Sequence, residues 1–135
     1  MPEAIEVQID RLNQEVIRLY KEGQYKQAID VAEWTYQTAH QHLDENQPSY
    51  IASLRNLAWC YRETGNYAKA APLLHEELEI TRRAVGEGHP NFVQSVSNLG
   101  LIYGFMGHYK AAEPLLKRTV ELTEVVLGRG ASRLC

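Results

Sequence analysis

The six residues Gly65-Asn66-Tyr67-Ala68-Lys69-Ala70 decide the fold, because they have two counterparts at one fixed offset. Gly23-Gln24-Tyr25-Lys26-Gln27-Ala28 stands 42 residues earlier, and Gly107-His108-Tyr109-Lys110-Ala111-Ala112 stands 42 residues later. Other landmarks keep the offset: Pro48 with Pro90, Asn56-Leu57 with Asn98-Leu99, Tyr61 with Tyr103, Pro72-Leu73-Leu74 with Pro114-Leu115-Leu116, and Gly86 with Gly128. A fixed period of this length marks a repeat architecture, in which neighbouring units bury one another's apolar faces. The 135 residues hold three units, at about 5–46, 47–88 and 89–128. A single domain over 1–128 is expected, followed by a flexible tail over 129–135.

Within each unit the apolar spacing is helical. Leu54, Leu57, Ala58 and Tyr61 fall at i, i+3, i+4 and i+7, between Pro48-Ser49 and Gly65-Asn66. Val96, Leu99, Gly100 and Tyr103 repeat the pattern, with Asn91 as the expected cap and Gln94 as its capping-box partner. The first unit offers Leu12, Val16 and Leu19, but carries Glu15 where the others have leucine, as a solvent-facing end repeat does. A second helix follows in each unit, predicted from Tyr67 to about Val85 and from Tyr109 to about Leu127. Gly65 and Gly107 supply the left-handed turn between the two helices, where a side chain clashes. Ala28, Ala70, Ala112, Ala58 and Gly100 mark close helix approaches, and Pro72 and Pro114 are expected to bend the second helices. The fold class read from these patterns is all-α: six antiparallel helices in a right-handed α-solenoid of three helix-turn-helix repeats.

Composition narrows the function. Hydrophobic residues make up 44% of the chain and charged residues 23%, the balance of a folded protein. Fourteen Lys plus Arg against 17 Asp plus Glu give a net charge of −3, which argues against nucleic-acid or anionic-membrane partners. A mean hydropathy of −0.39 and a polar, acidic start argue against a transmembrane segment or signal peptide, so a cytoplasmic protein is expected. The two cysteines, Cys60 and Cys135, form no disulfide framework; Cys60 reads as a small buried hydrophobe and Cys135 as exposed and able to form an adventitious intermolecular disulfide.

No reactive constellation stands out. His40, His42, His75, His89 and His108 include no pair at metal-ligand spacing, and Glu76, Glu77 and Glu79 lack partners that would tune a carboxylate for acid or base work. Every glycine-rich stretch is accounted for by the repeat. The expectation is a protein that is not an enzyme, with no metal and no cofactor.

The recurring text is Asn-Leu-Ala, Tyr, Gly-x-Tyr-x-x-Ala, Pro-Leu-Leu, Gly and His-Pro, seen at Asn56-Leu57-Ala58, Tyr61, Gly65, Tyr67, Ala70, Pro72-Leu73-Leu74, Gly86 and His89-Pro90. This unit resembles the tetratricopeptide repeat, in the 42-residue version typical of kinesin light chains. The resemblance implies an α-solenoid in which the first helix of each repeat, helix A, lines a concave groove, and it implies a scaffold for a protein or peptide ligand. The groove-facing positions are then those opposite the apolar stripe: Asp10, Asn13, Gln14, Ile17 and Lys21; Arg55, Asn56, Trp59, Arg62 and Glu63; and Gln94, Ser97, Asn98, Leu101 and Phe105.

Two readings attach to these residues. Asn56 and Asn98 match a family position that commonly hydrogen-bonds a peptide backbone, which an amide does as donor and acceptor, or they bridge adjacent helices. Trp59, Leu101, Ile17 and Phe105 form apolar pockets for a ligand, or Trp59 packs between repeats. Arg55 and Arg62 favour acidic groups, or pair on the surface with a residue such as Glu63. Gln94 and Asn98 stand where a clamp for chaperone tails needs basic residues, which argues against that ligand. An alternative function is self-assembly through the C-terminal repeat, where Leu115, Leu116, Val120 and Val126 are expected to lie partly uncovered. A further alternative is that the chain is the N-terminal repeat region of a larger signalling or effector protein.

Overall fold

The reversals at Gly23, Gly65 and Gly107 explain why helices recur in pairs. Each first helix ends by the same backbone geometry: Gly65 N–H donates to Arg62 O at 3.2 Å and Asn66 N–H to Tyr61 O at 2.7 Å. The equivalent bonds join Gly107 to Gly104 and His108 to Tyr103. This is the Schellman arrangement, which needs a residue in the left-handed region, and Gly65 and Gly107 sit there at φ 81° and 77°.

The computed structural model describes residues 3–134, and side chains as far as Gly128. Among these the helices are α1 (Ile5–Lys21), α2 (Tyr25–His42), α3 (Pro48–Glu63), α4 (Tyr67–Val85), α5 (Pro90–Phe105) and α6 (Tyr109–Leu134), and no strand occurs. The chain is therefore all-α. Helices α3 and α5 begin and end 42 residues apart, as do the starts of α2, α4 and α6. Pro48 and Pro90 each open a helix, where the missing N–H costs nothing and the fixed φ suits the first turn. Helices α4 and α6 continue through Pro72 and Pro114.

The chain divides into two compact units, Met1–Leu73 and Leu74–Cys135, with the boundary inside α4. In the first, α1, α2 and α3 pack on one another. Its core holds Ile9, Val16, Leu54 and Cys60, all fully buried, with Ala28, Ala32 and Ala39 of α2 providing a small-residue face for close approach. Thr35 is buried too and returns its hydroxyl to Val31 O at 2.6 Å. In the second unit α5 packs on α6. Phe92, Val96 and Leu122 make its core, with Leu78, Val93 and Leu115 against them. At Gly100 α5 and α6 come close: a Cβ there would stand 2.9 Å from Leu116 Cδ2 and 3.3 Å from Leu115 Cβ.

Two sequence expectations need correction. The cap of α5 is His89, not Asn91; His89 has extended backbone and its Nδ1 accepts the Asn91 N–H at 3.0 Å, while Gln94 bonds Asn98. Pro90 takes the first helical position, so the cap falls on the residue before it, two positions ahead of Asn91. The second is the C-terminal tail. Gly86 has φ 81° and ends the helical backbone of α4, but Gly128, its counterpart, has no left-handed φ, and α6 runs on to Leu134. Ser132 stands where Pro90 follows Gly86, so nothing forces the backbone out of the helix. Cys135 lies outside the described residues.

Candidate functional site

The three first helices, α1, α3 and α5, each have an apolar stripe in the core and an opposite face, and the candidate residues were read on that second face. Their positions differ. In the first unit Asn13 is only 6% exposed, which corrects its assignment to a ligand-facing surface. Its Nδ2 donates to Ser49 O at 3.3 Å, its Oδ1 accepts from Ser53 Oγ at 3.2 Å, and Asn56 Nδ2 approaches both its O and Oδ1 at 3.4 Å. Asn56 is thus a bridge between α1 and α3. The seam continues with Ser49 Oγ donating to Asp10 Oδ1 and Gln47 Nε2 to Glu6 Oε1, each at 2.6 Å. Buried polar groups keep their place only when paired, and this row pairs them.

Trp59 is half-buried, with its ring centroid 4.1 Å from that of Tyr20, which in turn lies 4.8 Å from Tyr25. It is a packing residue between α1 and α3 as well as a partly accessible one. Ile17 is exposed, as are Gln14 and Arg55. Arg62 is half-buried and pairs with Glu63 at 3.2 Å. On the exposed side of α1, Arg18 bridges Glu15 and Glu22, and its hydrogen bond holds the Glu15 carboxyl below the usual range. Cys60 is fully buried, and burial pushes its thiol up to about 11, so it stays protonated at neutral pH.

In the second unit Gln94, Asn98, Leu101 and Phe105 follow one another at i, i+4, i+7 and i+11 along α5, one continuous stripe. Gln94 Nε2 donates to Asn98 Oδ1 at 3.0 Å. That bond uses one hydrogen-bonding group of each amide, and each side chain has another to offer. Leu101 and Phe105 are 45% and 58% exposed, large for apolar side chains on a folded surface. The stripe therefore combines amide hydrogen bonding with apolar area.

Sequence reasoning did not single out the contacts between second helices and the following first helix. Tyr61 OH donates to Glu33 Oε1 at 2.8 Å, and Lys69 Nζ lies 5.7 Å from the same ring. Burial and that bond raise the Tyr61 hydroxyl above its usual range. One offset later, His75 Nε2 and Tyr103 OH are 2.6 Å apart. His40 Nδ1 meets Tyr50 OH at 3.1 Å, beside Tyr36. The signal was present: Tyr61 and Tyr103 recur at the repeat offset, and so do Glu33, His75 and Lys117. Among the described residues no group of three or more His, Cys, Asp or Glu converges as metal ligands do, and no helix is long and apolar enough to cross a membrane.

A family model described as Tetratricopeptide repeat matches residues 17–76 and 64–124. No curated protein sequence matches the chain. Among solved structures, the "kinesin light chain nearly identical TPR-like repeats" of Podosopora anserina superimpose with a TM-score of 0.72 at 24% identity, over 90% of this chain and 57% of that one. BtubC (BKLC) from P. vanneervenii gives a TM-score of 0.79 at 16% identity, over 90% of this chain and 48% of that one. At these identities the likeness is one of fold, and the chain spans about half the length of either.

Proposed function

Because the chain belongs to the tetratricopeptide repeat family, we propose that it is a non-enzymatic scaffold that holds a peptide or partner protein against its first helices. Tetratricopeptide repeats generally mediate protein–protein interaction, and the fold is typically a non-catalytic one. The observation that carries the reading is the α5 stripe, where Leu101 and Phe105 stand exposed one turn apart, beside the Gln94–Asn98 amide pair. A peptide laid there meets apolar surface for its side chains and amides for its backbone. On the first unit, Ile17, Gln14, Arg55 and Arg62 of α1 and α3, with the accessible part of Asn56 and Trp59, form a candidate surface of their own. Asn13 takes no part, since it is buried. A cytoplasmic setting belongs to the same reading, supported by the free, buried thiol of Cys60.

The test is selection of a phage-displayed peptide library against the chain, followed by titration of the selected peptides. Phe105→Asp and Leu101→Asp are expected to weaken them by about tenfold or more, as loss of a central apolar contact does. Undiminished binding by both variants sinks the assignment to α5.

A further inference from the structure

The α1·α2 pair shows how a helix pair of this chain is covered on its outer side, because α3 lies on it. Ser49 meets Asp10, Trp59 meets Tyr20, and Tyr61 meets Glu33. Moving the covered positions forward by two repeats, 84 residues, turns Asp10, Asn13, Tyr20 and Glu33 into Gln94, Ser97, Gly104 and Lys117. The first two of these line an open cavity of about 240 Å³ on α5·α6, and the other two line one of about 620 Å³. Both cavities of the last pair thus fall where α3 sits on the first pair. Tyr109 and Val120, in and beside the larger one, are 72% and 59% exposed.

We propose that this face receives α1 of a second copy of the chain, docked head to tail in the register that α3 takes on α1·α2. Two observations select α1. It is the helix equivalent to α3, 42 residues earlier, so Val7, Glu15 and Ile17 stand where α3 has Ser49, Leu57 and Trp59. Val7 and Ile17 are exposed large apolar residues of α1. The register brings Val7 to the cavity bounded by Gln94, Val126 and Leu127, and Ile17 to Gly104, which stands where Tyr20 receives Trp59. Charge is the second observation. Glu33 and Leu57 line one cavity in the first unit, so their counterparts across the docked faces, Lys117 and Glu15, meet as opposite charges. The contact is heterologous: a copy that has given its α1 still offers its own α5·α6 face, so association is open-ended. The inference goes beyond peptide binding, and the variants that test it leave Asn98, Leu101 and Phe105 untouched.

The experiment is sedimentation velocity of the 135-residue chain in reductant over a concentration series, with circular dichroism of each variant as the check on folding. The mass of the native chain is expected to rise past a dimer as concentration increases. Val7→Asp blocks one side of the contact and Val120→Asp the other, each weakening association by about tenfold or more through a buried, unpaired charge. Mixed together, the two variants restore one intact contact and give a dimer that neither gives alone. Lys117→Glu weakens association about two- to fivefold, and adding Glu15→Lys recovers it. A constant monomer mass across the series overturns the proposal, as does association that stops at a dimer in the native chain, or a mixture of Val7→Asp and Val120→Asp that stays monomeric.

Discussion

The α1·α3 contact and the α5·α6 contact solve the same problem with different chemistry. Between α1 and α3 runs a polar seam, with Gln47, Ser49, Ser53 and Asn56 on one side and Glu6, Asp10 and Asn13 on the other. Between α5 and α6 the interior is apolar, built on Phe92, Val96, Leu122 and the Leu115–Leu116 approach to Gly100. Apolar packing supplies most of the free energy of burial but tolerates small slips, whereas paired polar groups contribute little net stability and penalise any register that leaves them unpaired. The contrast suggests that the seam fixes where a following first helix lands, while the interior of each pair supplies cohesion.

Three substitutions test that division. Leu99→Ala, at a fully buried position, is expected to have the largest effect, about 3 kcal/mol lost in urea unfolding followed by circular dichroism. Asn13→Ala in the seam is expected to cost about 1–2 kcal/mol, because Ser53 and Asn56 lose a partner in a buried setting. A cost equal to that of Leu99→Ala makes the seam a source of cohesion and breaks the comparison. The smallest effect is expected at Gly100→Ala. Helix propensity favours alanine by about 1 kcal/mol, yet the contacts with Leu116 and Leu115 are too close for a methyl group, so a net loss of about 1 kcal/mol is expected. A gain in stability shows that Leu116 yields freely and that the α5·α6 interior is looser than its distances imply.

Much of the fold was legible because the 42-residue offset fixes one unit by another: the bounds Tyr67–Val85 follow from spacing, turn glycine and proline. What spacing could not deliver were the places where two signals compete. Asn91 and His89 are both able to cap α5, and the geometry of Pro90 decides for His89. Asn13 belongs to the polar face by periodicity, but a first helix has neighbours on two sides, and only tertiary packing shows that α3 covers this part of it. Trp59 was open between core and surface for the same reason, since its partner Tyr20 lies outside the apolar stripe. The stripe Gln94, Asn98, Leu101 and Phe105 was readable because α5 carries it at strict helical spacing.

Gly86 and Gly128 show how little separates a joint from a strut. Both are permissive residues at the same place in the repeat, and both are followed by one residue and a second glycine. Pro90 turns the first into a corner; Ser132 lets the second stay straight. The helix gains seven residues over α4, from Leu127 to Leu134, which is about 10 Å of extra rod at the usual rise. The backbone leaves the last repeat along the α6 axis instead of doubling back, so cargo fused there would be carried outward on a stiff arm, and its orientation would be set by helical phase, about 100° for every residue added or removed.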